Sequence, residues 1–172
     1  MLITDDGQSA AFRGGDGRLS VLHVGRDSFA VKEWLAADAD ARTPKDATLS
    51  NGVTCDAIGC IGKLGDGRLI SMVLGIEALA EDCARAVVVV VSQREAPTGC
   101  GAILVDRAVW QTHGVIALRW TGDRFAQKVT LAPNYYRPWT HRTPAAAGSA
   151  QANQRRTSRE ADPNSADLDA AD

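Results

Sequence analysis

Histidine is scarce. The 172 residues hold only His23, His113 and His141, far apart in the chain. A metallohydrolase centre built on clustered imidazoles is therefore excluded. Excess positive charge is missing too: 19 Lys and Arg face 21 Asp and Glu, a net charge of −2. That balance argues against a chain whose main work is gripping phosphates. No apolar run approaches the about 18 residues of a membrane helix. The longest, Ala86-Val87-Val88-Val89-Val90-Val91, suits a buried strand. The start, Met1-Leu2-Ile3-Thr4-Asp5-Asp6, has no signal-peptide pattern, so the chain read alone is expected in the cytoplasm. Ser71 and Ser92 lack a nucleophile elbow or a neighbouring His, and Gly14-Gly15-Asp16-Gly17 lacks the Lys-Ser/Thr of a phosphate loop. Neither catalytic residues nor a metal or other cofactor are expected.

What remains reads as an ordinary domain. Apolar residues make up 45% of the chain and charged residues 23%, enough for a packed core. The pentapeptide Gly-Asp-Gly-Arg-Leu occurs twice, at 15–19 and 65–69. Asp-Gly between strand-like runs predicts a hairpin with a type I′ turn. Ser9–Arg13 would pair with Leu19–Val24, and Ala57–Leu64 with Leu69–Leu74. A third hairpin is expected at Val115–Trp120 and Arg124–Leu131.

Helical spacing predicts Ser28–Asp38, with Ser28 as N-cap and Phe29, Val31, Trp34, Leu35 and Ala36 near one face. It also predicts Ile76–Ala86, with Cys83 on the buried stripe, and a short helix at Arg107–Gln111. Val87–Val91 and Ala102–Val105 read as central strands. The expected class is α+β (mixed α/β): β-hairpins and a mixed sheet with covering helices. A single folded domain is expected over 1–139. The remainder, 140–172, is poor in large apolar residues and is expected to be disordered.

Four cysteines, Cys55, Cys60, Cys83 and Cys100, allow three pairings. Cys55 and Cys60 flank a tight glycine-bordered loop, a candidate local disulfide, which would leave Cys83 to Cys100. Buried thiols and a metal site are the alternatives, the latter without a C-x2-C knuckle. Arg119, Trp120, Arg124 and Phe125 on the third hairpin, with Tyr135, Tyr136, Arg137 and Trp139, form a candidate stacking platform for single-stranded DNA. Asp38, disfavoured at a helix C-terminus, calls for a partner such as Arg42 or Lys45.

Several stretches together resemble the C-terminal region of alphaproteobacterial ComEC-family competence proteins. They are Asp27-Ser28-Phe29-Ala30-Val31-Lys32-Glu33-Trp34-Leu35-Ala36-Ala37-Asp38, Cys55-Asp56-x-x-Gly59-Cys60, Glu81-Asp82-Cys83, Gly99-Cys100 and Asn134-Tyr135-Tyr136-Arg137-Pro138-Trp139. These are polytopic membrane proteins implicated in carrying single-stranded DNA across the inner membrane. The resemblance implies a metallo-β-lactamase-like domain, whose opening strands the Asp5-Asp6-Gly7-Gln8 start and the hairpin after it resemble. The His-x-His-x-Asp-His motif of that domain is absent from the sequence, so the implied form is a degenerate half. The channel helices are absent from these residues as well. The implied role is a non-catalytic accessory domain, or split fragment, beside the membrane channel of a parent protein and facing the periplasm. A vestigial hydrolase or nuclease domain and an inert gene fragment are the alternatives.

Overall fold

The computed structural model describes residues 1–23, 28–92 and 99–132, with the backbone alone for His23. The far end of the first hairpin at Val24, the aromatic segment Tyr135, Tyr136, Arg137 and Trp139, and the tail 140–172 lie outside the described residues.

The fold is α+β. Strands β1 (Leu2–Ile3), β2 (Ser9–Arg13) and β3 (Leu19–His23) lead into helix α1 (Phe29–Ala37). A 3₁₀ turn, Ala47–Ser50, precedes β4 (Val53–Cys55), β5 (Gly59–Lys63) and β6 (Leu69–Val73). Helix α2 (Ile76–Arg85), β7 (Ala86–Val91), β8 (Ile103–Val105), α3 (Arg107–His113), β9 (Ile116–Trp120) and β10 (Phe125–Val129) follow.

Where the sequence suggests one mixed sheet, the strands divide between two. The first sheet, β10-β9-β1-β2-β3, is antiparallel throughout. The second, β4-β5-β6-β7-β8, is mixed, with β6, β7 and β8 parallel. The division comes from β9, which pairs with β1 (Leu2 opposite Ala117) instead of continuing from β8. No local pattern encodes a pairing between residues so far apart.

Strand alternation puts one set of side chains between the sheets and the other outside. Ile3, Ala10, Phe12, Leu22, Ile116 and Leu118 of the first sheet meet Cys60, Ile70, Met72, Val88, Val90 and Val105 of the second. Each large apolar side chain fully buried there contributes about 1.5–3 kcal/mol. On the outer face of the first sheet, Val31 and Leu35 of α1 cover Ala11, Leu19 and Val21. On the outer face of the second, Leu79 of α2 covers Val73, Val89 and Val91. The layers run helix, sheet, sheet, helix.

The two halves share a register. Ser9 pairs with His23 and Arg13 with Leu19; fifty residues on, Gly59 pairs with Val73 and Lys63 with Leu69. Both turns are built alike. Gly14 N–H donates to Arg18 O and Gly17 N–H to Gly14 O, while Leu64 N–H donates to Arg68 O and Gly67 N–H to Leu64 O. Only the second glycine of each, Gly17 and Gly67, has positive φ (73° and 87°). The loops are thus three-residue turns closed by a left-handed glycine, not the two-residue type I′ turns expected. The two tips meet, with Gly65 N–H donating to Arg13 O at 3.2 Å.

Helix α1 departs from its expected face. Val31 and Leu35 are buried, but Phe29 is 67% exposed and Ala36 lies at the surface. Ser28 makes no side-chain cap. Phe29 sits in the first turn of α1 and stays outside the cluster that Val31 and Leu35 form on the sheet. Asp38 pairs with Arg13 across the fold, and Arg42 takes Asp40 instead.

Candidate nucleic-acid interface

Turn Leu64–Arg68 of the second sheet reaches the open end of the first, where β9 and β10 meet. Trp120 and Phe125 are directly opposite on these antiparallel strands. Their rings stand edge to face, centroids 5.0 Å apart, an arrangement favoured by the aromatic quadrupole. Trp120 remains 41% exposed.

The guanidinium of Arg68 lies 3.7 Å above the Trp120 centroid and 5.1 Å from that of Phe125, a cation–π contact. Asp66 holds Arg68 from behind: Arg68 Nε donates to Asp66 Oδ2 at 2.8 Å, with a second bond from the terminal nitrogen. These hydrogen bonds hold the Asp66 carboxyl below its usual pKa.

Met1, Leu2, Arg13, Leu64, Arg68, Leu118, Trp120 and Phe125 border a groove of about 460 Å³. Arg13, paired with Asp38, also borders a second cleft beside Arg18 and Asp40. One wall of the larger groove is apolar, and its rim carries Arg13, Arg68 and Arg119 together with the carboxylate of Asp66. Such a surface suits a flat ring carrying negative charge.

The sequence places Arg119 and Arg124 as the cations of this platform. Trp120 and Phe125 are brought together as expected, but the cation over them is Arg68. Successive strand residues point to opposite faces, so Arg119 departs from the face that carries Trp120. Arg119 borders the groove at its edge. Arg124 sits at the strand end, where its carbonyl accepts from Thr121. The repeated Gly-Asp-Gly-Arg-Leu was the signal for Arg68: its second copy delivers that arginine.

All four cysteines are paired. Cys55 and Cys60 face each other across β4 and β5, Cα atoms 4.0 Å apart, and are joined as a disulfide. Asp56 orders the intervening turn by accepting from Ile58 N–H and Gly59 N–H, each at 2.9 Å. Cys83 of α2 is joined to Cys100, just before β8. Helix α2 is also fixed by Asp82, buried under it, which accepts from the buried Ser71 hydroxyl of β6 at 2.6 Å. A cleft of about 270 Å³ beside the first disulfide carries Asp56, Glu77, Glu81 and Asp82. Arg85 compensates Glu81 there.

The Asp5-Asp6-Gly7-Gln8 turn lies against α3. An added Cβ at Gly7 would come within 2.8 Å of Trp110 Nε1, and φ there is 66°. Among the described residues no three His, Cys, Asp or Glu side chains gather as a metal-ligand set. No helix among them is long and apolar enough to cross a membrane.

No protein-family model, curated protein or solved structure matches this chain.

Proposed function

We propose that this chain is a non-catalytic accessory domain of a ComEC-type uptake system, placed beside a membrane channel in an oxidising compartment and contacting single-stranded DNA weakly. The observation that carries this reading is the pairing of all four cysteines. Disulfides persist where thiols are not kept reduced, as in the periplasm. The three scattered histidines of the sequence favour a scaffold over a hydrolase. The half-exposed Trp120 under Arg68 supplies a surface for unpaired bases.

Two measurements test it. Thermal melting of the oxidised chain should fall clearly on reduction; an unchanged melt would remove the oxidising-compartment argument. Single-stranded oligonucleotide binding should be detectable at low salt and weaken in Trp120→Ala or Arg137→Ala. Stoichiometric zinc or manganese with phosphodiesterase activity would replace the proposal with the hydrolase reading.

A further inference from the structure

We propose that the groove between the Leu64–Arg68 turn and the β9–β10 hairpin is a site for one unpaired nucleobase with its phosphate, the base stacking on Trp120 where the Arg68 guanidinium now lies. The proposal rests on the reading above that the domain contacts nucleic acid, and names the atoms that would do so.

The guanidinium is flat and lies 3.7 Å from the ring centroid, a separation that suits a stacked base. It therefore marks a slot of the right thickness, filled by the protein's own cation. The slot belongs to a groove of about 460 Å³, within the size range of small-molecule sites. Leu118 gives it an apolar floor, and Phe125 closes one end edge-on.

Among the described residues Arg68 is ion-paired on its turn with Asp66 alone, so it can swing aside without unpacking the core. Swung outward, it stays beside the slot, where a phosphate attached to a stacked base would sit. Arg13 borders the same groove. Its hydrogen bonds to Gly17 O and to Asp38 turn its guanidinium toward the second cleft, so the phosphate is left to Arg68. Base and phosphate are thus served by different residues: Trp120 by stacking, Arg68 by charge. A free nucleotide and a nucleotide within a strand present the same chemistry.

The test uses the full oxidised chain with three probes: thymidine 5′-monophosphate, a short oligothymidine and an abasic strand of equal length. Intrinsic fluorescence reads occupancy, and Trp120→Phe assigns the quenched signal. Stacking predicts that oligothymidine binds about tenfold or more tightly than the abasic strand, and that Trp120→Ala abolishes the difference. Arg68→Ala should lower the salt dependence by about one phosphate contact, and Arg68→Lys should keep it. Equal binding of both strands, unchanged in Trp120→Ala, would overturn the base site and leave DNA contact elsewhere standing. Monophosphate binding without strand binding would uphold the site and overturn the DNA reading. No binding of any probe overturns both.

Discussion

Phe12 occupies the space that Gly62 leaves open. A Cβ on Gly62 would stand 2.7 Å from both Cε1 and Cζ of the Phe12 ring. The two residues hold equivalent positions in the repeated hairpins, fifty residues apart, and face each other across the sandwich. Equivalent positions of the two hairpins thus carry a knob and a hole. Gly62→Ala is expected to destabilise the protein by about 1–3 kcal/mol, the range of overpacked cores. Adding Phe12→Leu should recover part of that loss. Urea unfolding of the two single variants and the double variant measures it, and strictly additive losses would show that the residues do not couple.

The two disulfides should differ in worth. They join residues 5 and 17 apart, so loop closure assigns about 2 kcal/mol to the first and about 3 kcal/mol to the second. Replacing Cys83 and Cys100 with Ala should lower the melting temperature more than replacing Cys55 and Cys60. The reverse order would mean that α2 is held mainly by its packing and by the Ser71–Asp82 hydrogen bond.

Ala39 ends α1 with φ at 51°, the left-handed region that disfavours a Cβ. Its N–H donates to Ala36 O, and Asp40 N–H reaches back to Leu35 O at 2.9 Å, a helix stop that usually employs glycine. Ala39→Gly should stabilise the protein by about 0.5–1 kcal/mol despite the greater freedom of its unfolded chain. A lower melting temperature would refute this account of the turn.

Acid should act through Asp40. Its hydrogen bonds from Arg42, at 2.6–3.0 Å, hold its carboxyl well below the usual carboxylate range. A carboxyl depressed in the folded state contributes stability that is complete above its unfolded pKa, about 3.9, and is lost as pH falls through the folded value. Stability from this group should hold from neutrality to about pH 5 and decline below about pH 4. Asp40→Asn should be less stable at neutral pH and lose less on acidification. Parallel pH profiles for the variant and the parent protein would assign the acid response to other carboxylates.

Local features were legible in the residues. Gly-Asp-Gly announced both repeated hairpins because a glycine was needed at positive φ in each, though the turn type differed. Cys55 and Cys60 were marked as neighbours by the short loop between them. On α2 the apolar spacing marked Leu79 and Cys83, which pack on the second sheet, but Ile76 is 40% exposed and Asp82 is buried instead. Strands β1 and β4 were missed; Leu2–Ile3 and Val53–Cys55 are too short to display a period.

The sequence by itself determined the hairpins, the helices and the chemistry of the turns, because these depend on φ preferences and spacing within a few residues. Only the tertiary structure decided that β9 would pair with β1, that Phe12 would fill the gap at Gly62, and that Arg68 rather than Arg119 would cover Trp120. Each of these joins residues dozens of positions apart. Their contact follows from which apolar faces can be buried together, a property of the packed whole that no single segment carries.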